Sequence, residues 1–573
     1  MRFMSTRLVR SLAIGAVGMA VVQGSAMAAS APQVTQPVQV TTADLDPART
    51  YTTPSVAIDP GNPLNVVSTV SEARTRRCGL ARSTDGGQSW RVLDSSPSPE
   101  SYPFCFTANF AVAQAQVAFG RNGALYYALP GWDVQDGGGT RGNVSLIVAR
   151  SDDLGDTWRT AVVHNTRGKQ GDDVENAGRP INSLVVDTKS GNDDIVYVTW
   201  TRNFPNRSAP NAEPVRPFVA VSTDGGRNFS APVDLIAGVF ESASIRAEAL
   251  KTTTTTTPPG PTTTTTAPPA GSRAAQPDQA ANFGGRDATL AVDKKGTVYV
   301  AWRAQSSNLT PATFNALFLS KSTDKGKTFT VNQITPWTPR ARQPQLRWSP
   351  EGGGTGTLHL VYEGTNRPGA VGDDSEIFYQ RSSDGGKTWD PFKILNDDDQ
   401  RQVFAQGIPN MTVAPNGRLD AVWWDLRNDP GFNFANDVYH ASSTDNGTTW
   451  SKNVRVTDRL IDRRIGVFGN NFDVSGPPAL ATSNAFVMVG WDDTRNAERG
   501  ELGSGTQDLF TAAVQYQAVG TGTSNVVKVV LASVVGLLLV GLILLAAGLA
   551  SRRRGGPGAA DTLPGRTAAG VRG

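Results

Sequence analysis

Two kinds of side chain recur at corresponding places along this chain of 573 residues. Arginines open short apolar runs: Arg179 in GRPIN, Arg286 in GRDATL and Arg342 in RQPQL. Charged residues close the runs that follow: Arg202, Arg303, Glu363, Asp425 with Arg427, and Asp492 with Arg495. The last two pairs stand in the related phrases WWDLRND and WDDTRN. A guanidinium is a planar, permanently charged fork that suits a carboxylate. Two carboxylates flanking a bond are the acid and base of most glycoside hydrolysis. Glu363, Asp425 and Asp492 are the candidates for that work, and Arg179, Arg286, Arg342, Arg427 and Arg495 for holding a ligand. An Asp two or three residues before an Arg serves equally as an ion pair between neighbouring units, so both readings stand.

The elements that must position these residues are repeats. An eight-residue stretch returns six times: STDGGQSW at 83–90, SDDLGDTW at 151–158, STDGGRNF at 222–229, STDKGKTF at 322–329, SSDGGKTW at 382–389 and STDNGTTW at 443–450. Its form, S-x-D-x-G-x-x-[WF], makes sense as a hairpin turn. Ser and Asp oxygens accept from turn N–H groups, and Gly supplies a positive φ. The closing aromatic is expected to pack back over the start of its hairpin. A strand precedes each box, such as LIVAR at 146–150 or IFYQR at 377–381, and a short strand such as WRVL at 90–93 follows it. Upstream come two more apolar runs, such as TLAVD at 289–293 and TVYVAW at 297–302. Four strands per unit, with no amphipathic helical stretch, predict an all-β array of propeller blades.

The boxes resemble the Asp boxes of the sialidase-type β-propellers, also called BNR-repeat proteins. That resemblance makes Asp85, Asp153, Asp224, Asp324, Asp384 and Asp445 structural residues of turns between third and fourth strands. It places ligands on the opposite face, around the central axis, where the arginines and strand-end carboxylates fall. Arg179-Pro180-Ile181 is similar to the motif that opens the first blade of sialidases, whose arginines clamp the substrate carboxylate. The chain departs from the family in two respects. The loop where a catalytic Asp is expected, TRNFPNRSAPNAEP, offers only Glu213, and no Tyr nucleophile with its Glu can be picked out. The resemblance implies an exo-α-sialidase-like glycoside hydrolase acting on a glycan or glycoconjugate. The alternative is a non-catalytic cell-surface propeller that binds glycan or a protein partner.

Successive box aspartates lie 68, 71, 100, 60 and 61 residues apart. The long interval holds a Thr/Pro tract, KTTTTTTPPGPTTTTTAPP at 251–269, which cannot bury a core; the insertion runs to about 283. A seventh unit follows the last box: PPALA, FVMVGW and DLFTAAVQY at 508–516, without a box or a fourth strand. VQVTTADL at 38–45 is expected to supply that strand and close the ring, giving seven blades over 38–517, with six as the alternative.

The ends carry targeting signals. Arg2, Arg7 and Arg10, an apolar run and Ala26-Met27-Ala28 read as a secretory signal over 1–28. After a linker at 518–528, Val529 to Ala550 is long and apolar enough to span a bilayer. Arg552, Arg553 and Arg554 then place a tail, 551–573, in the cytoplasm and the propeller outside, tethered to the membrane by one helix. Two cysteines in an exported chain, Cys78 and Cys105, favour one disulfide. With 54 Lys and Arg against 51 Asp and Glu and no basic stripe, nucleic acid is not an expected partner. His164, His359 and His440 have no ligand-like spacing, and no metal or cofactor is called for. The turn Asp397-Asp398-Asp399 reads as a solvated acidic loop before a calcium site.

Overall fold

A computed structural model describes residues 32–41, 50–73, 75–105, 115–133, 144–165, 181–202, 215–237, 283–306, 314–336, 338, 340–352, 356–365, 375–399, 405–429, 434–466, 476–497 and 507–516. They form seven antiparallel sheets of four or five strands. The innermost strands are Val56–Ile58, Gln116–Phe119, Ile181–Asp187, Phe283–Val292, Ala341–Ser349, Gln406–Val413 and Ala479–Thr482, one for each of blades one to seven. Each packs beside the next, and the seventh packs against the first. The ring is closed with seven blades, not six. Among the described residues the one helical element with printed bounds is a short 3-10 turn, Arg121–Gly123.

Closure comes from the N-terminus. Val38 and Gln39 pair with Thr511 and Phe510 of the last strand, as expected, but Gln33 and Val34 also pair with Gln515 and Val514. The closing segment therefore begins before residue 38. Thr41 Oγ1 donates to Asp508 (2.8 Å), and Trp90 Nε1 of blade one donates to Thr511 Oγ1 of blade seven (3.1 Å). Pairing first and last segments in one sheet removes the free edges that an open array would expose.

The second strands explain the loss of alternation in the sequence. Leu125–Trp132, Thr357–Gly364 and Leu419–Asp425 are buried at every position, because each is covered by a blade on either side. Strands buried on both faces read as continuous apolar runs. Large side chains fill the interfaces: Trp302, Trp423 and Trp491 have no exposed surface, and Trp302 stacks on Phe318 at 4.9 Å. Burying one such side chain stabilises by about 1.5–3 kcal/mol.

The six boxes are the turns between third and fourth strands. In the first, Gly87 N and Asp85 N donate to Ser83 Oγ (2.8 and 3.3 Å). Gln88 N and Ser89 N donate to Asp85 Oδ1 (both 2.9 Å), and Ser89 Oγ donates to Oδ2 (2.6 Å). The closing aromatic does not fold over its own hairpin alone. Gly155 and Trp158 of blade two pack on Leu80 and Leu93 of blade one, and Trp450 of blade six sits edge-on to Tyr379 of blade five at 5.0 Å. The basic residue before a box Ser reaches the following box. Arg150 Nη1 donates to Gly225 O (3.2 Å), Lys321 Nζ to Gly385 O (3.2 Å), and Arg381 Nη1 to Asn446 O (2.6 Å). Each box is thus a rivet between blades.

Cys78, on the third strand of blade one, is bonded to Cys105 in the connection to blade two, closing a separation of 27 residues. The compact unit runs from Pro32 to Tyr516. The secretory segment 1–28, the Thr/Pro tract and the segment from 517 onward lie outside the described residues. No helix among the described residues is long and apolar enough to cross a membrane.

Candidate functional site

Antiparallel register brings inner-strand starts and second-strand ends to one face, opposite the boxes. Arg286 stands across from Arg303, Arg342 from Glu363, Gly407 from Trp424, and Gln406 from Asp425. At the other end, Leu358 and Leu419 stand opposite the box serines Ser382 and Ser443. The inner strands are not regular where they reach the face opposite the boxes. Their register slips by one residue between Arg286 and Thr289, Arg342 and Gln345, and Gly407 and Asn410. In these bulges Asp287, Gln343 and Ile408 take φ of 54°, 51° and 51°, and Thr53 of blade one takes 49°. A non-glycine residue held there costs about 1–3 kcal/mol, and such strain gathers at binding and catalytic sites. Bulges also re-aim the side chains beside them.

Blades four and five supply the charge. Arg303 pairs with Asp287 (2.8 Å) and Arg340 with Glu363 (3.7 Å). The side chain of Arg342, half-buried beside the bulge at Gln343, makes no hydrogen bond or ion pair with any described residue. Glu363 is buried and points across to blade six, where a Cβ on Gly407 would lie 3.2 Å from Oε2. Asp492 of blade seven is buried and accepts from Thr52 Oγ1 of blade one (3.0 Å).

Asp425 and Arg427 have a different setting. Asp425 has no exposed surface and takes four donors: Trp423 Nε1 (2.9 Å), and the backbone N, Nε and Nη2 of Arg427 (2.9, 2.9 and 2.8 Å). Arg427 continues to Asp397 (2.8 Å) and Asn453 Oδ1 (3.0 Å), and lies over the Tyr439 ring at 4.2 Å. Burial works against its charge, but the hydrogen bonds and field of Asp425, with Asp397 and Asp398 behind, hold its pKa above the ordinary arginine value. Blade seven repeats the arrangement with Asp493, not Asp492: Trp491 Nε1 donates to Asp493 (2.8 Å), as do Arg495 N (2.8 Å) and Nη2 (2.7 Å). Register against the third strand agrees. Asp425 faces Asp437 as Asp493 faces Asp508, whereas Asp492 faces Leu509 as Glu363 faces Ile377 and Trp424 faces Val438. Glu363, Trp424 and Asp492 are therefore equivalent positions in consecutive blades.

The fold is a closed β-propeller of seven four- or five-stranded blades. Among solved structures it is similar to the GH93 α-L-arabinofuranosidase of Fusarium graminearum, at 14% identity over 68% of this chain and 92% of that one, with a TM-score of 0.39. It is also similar to a Hadza microbial sialidase (13% identity, 79% and 73% covered, TM-score 0.41). A protein of unknown function from Dyadobacter fermentans gives 13% identity, 85% and 100% covered, and a TM-score of 0.41. No protein-family model matches the chain, and no curated protein does. These identities are too low to carry a substrate across.

The remaining candidates divide by position. Arg179 and Glu213 lie outside the described residues, as does the side chain of Arg202. Arg286 stands at the inner-strand start of blade four, whereas Arg495 is tied to Asp493 and to Asp458 (2.7 Å). Asp397 is held below the ordinary carboxylate range: burial opposes this, and the Asn453 N–H and Arg427 outweigh it. Among the described residues no group of three His, Cys, Asp or Glu side chains could hold a metal. His359 is internal, between Ser349 Oγ (2.9 Å) and Tyr379 Oη (2.8 Å), and burial, helped by Arg381, pushes its pKa down to about 3. Sequence reasoning missed Asp287, Arg340 and the Thr52 hydroxyl. Asp287, directly after Arg286, carried a signal; Arg340 did not, because it precedes its strand.

Proposed function

We propose that this chain is an exported, surface-tethered, glycoside hydrolase-like propeller that takes an acidic glycan on the face opposite its Asp boxes. Arg342 carries the reading. It is a half-buried guanidinium with no hydrogen-bond or ion-pair partner among the described residues, beside a strained bulge, in the blade that also supplies Glu363. Around it Arg286, Arg303 and Arg340 outnumber Asp287 and Glu363, so the mouth over blades four and five favours an anion. Arg342 and Arg286 then hold the sugar carboxylate. Glu363 and Asp492, at equivalent positions two blades apart, are the acid and base to test first; Asp425 and Arg427 serve as their scaffold.

One observation favours a second reading, a binding propeller without turnover. All ten tyrosines are described, and nine are buried, which suits packing better than the tyrosine nucleophile of sialidases. The test is release of fluorophore from a panel of α-sialosides, uronides and neutral glycosides by the full chain in detergent, beside R342A and E363Q. Turnover of an acidic glycoside, lost in E363Q and with KM raised in R342A, supports the enzyme. Saturable binding of an acidic glycan without turnover, weakened in R342A, supports the binding module. Binding that ignores R342A sinks both.

A further inference from the structure

Arg347 lies on the innermost strand of blade five, where its nearest polar neighbours come from three blades. The Leu346 N–H donates to Thr289 Oγ1 of blade four (3.3 Å), and the Leu346 carbonyl accepts from Arg347 Nη1 (2.8 Å). Both backbone groups are therefore turned from the strand that pairs with Ala341–Ser349 and towards the propeller axis. The guanidinium runs along that axis-facing edge. Nη1 also approaches Thr289 Oγ1 (3.4 Å), and Nη2 donates to Asn410 Oδ1 of blade six (3.3 Å).

All these acceptors are neutral, and two are shared. Thr289 Oγ1 already serves Leu346 N, and Asn410 Oδ1 serves Met411 N (2.9 Å). No carboxylate pairs with Arg347 among the described residues. Its partners take three of the five N–H bonds of a guanidinium, leaving two. Arg347 is half-buried, and the desolvation that its packing imposes pulls its pKa down to about 10. A charge removed from water without a counter-ion is costly. The fold does not require one here. Register places Ala57, Ala118, Val185, Ala291 and Thr412 at the corresponding position of blades one, two, three, four and six.

We propose that the axial channel binds a small inorganic anion, of the chloride or phosphate class, at Arg347 between Thr289 and Asn410. This site is separate from the mouth at Arg342. The anion completes the hydrogen bonding of the guanidinium and ties together the inner strands of blades four, five and six.

The probe is chloride, followed by the 35Cl NMR linewidth on the folded full chain in detergent. The expected result is broadening in excess of a detergent blank, reversed by added inorganic phosphate. The excess falls to the blank in R347M. N410D, which sets a carboxylate beside the guanidinium and leaves the arginine in place, also abolishes it and raises Tm. R286A/R342A retains it. Absence of excess broadening in the native chain, its persistence in folded R347M or N410D, or its loss in R286A/R342A overturns the site.

Discussion

Removing the Asp425 carboxylate separates an anchor from a catalyst. Asp425→Ala strips the acceptor from four donors and leaves the Trp423 indole N–H fully buried and the Arg427 guanidinium half-buried beside it. Breaking a buried pair from one side costs about 3–5 kcal/mol. Arg427 keeps Asp397 at 2.8 Å and Asn453 at 3.0 Å, which sets the cost at the low end. The compact unit from Pro32 to Tyr516 is about 485 residues. At about 2.1 cal/mol/K per residue its unfolding entropy is about 1 kcal/mol/K, so Tm falls by about 3 °C. Arg427→Met is expected to cost more, about 5 °C, because it leaves a buried carboxylate without its counter-charge, held only by the Trp423 indole and the residue-427 backbone N–H. Asp425→Leu with Arg427→Met removes both charges, and its loss is expected to be smaller than the sum of the two singles. Calorimetry of the full chain in detergent, at several scan rates to expose irreversible unfolding, measures all three. If Asp425→Ala leaves Tm unchanged while abolishing glycoside turnover, the anchor assignment fails and Asp425 belongs to the chemistry.

Two further outcomes follow from other parts of the ring. Gly447 has φ 77°, and a Cβ there would lie 1.7 Å from Tyr379 Oη, so Gly447→Ala is expected to destabilise by about 2–5 kcal/mol, with part recovered by adding Tyr379→Phe; thermal unfolding of the single and double variants checks it. Acid sensitivity has two windows. His359 is held neutral, with a folded pKa of about 3 against 6.5, so the unfolded chain binds the extra proton and stability present above 6.5 is lost as pH falls towards 3; His359→Gln flattens that stretch of the Tm–pH curve. The Asp153, Asp224 and Asp384 carboxylates are held near 2 by turn hydrogen bonds, which outweigh burial that opposes in all three, so their contribution is intact above 3.8 and lost as pH falls towards 2; the triple Asn variant loses that dependence.

The chain sequence by itself determined what is local. Ser83, Asp85 and Gly87 satisfy one another within five residues, so six boxes could be recognised without knowing what surrounds them. The apolar runs before each box gave four strands to a blade, and a last unit short of one strand pointed to closure from the N-terminus. Tertiary structure decided what depends on register and on neighbours. WWDLRND and WDDTRN align so that Asp493, not Asp492, repeats Asp425. Successive side chains on a strand face opposite ways, so a one-residue slip exchanges an anchored carboxylate for one at the mouth. The bulges lift Asp287, Gln343 and Ile408 into positive φ, and none of these three positions is a glycine that would announce it. Whether an arginine has a partner is settled by other blades: Arg427 finds Asp397 thirty residues away, while Arg342 and Arg347 find no carboxylate among the described residues. Turn chemistry acts over a few bonds and is written in order along the chain, whereas charge pairing acts through space and depends on which blades the ring brings together.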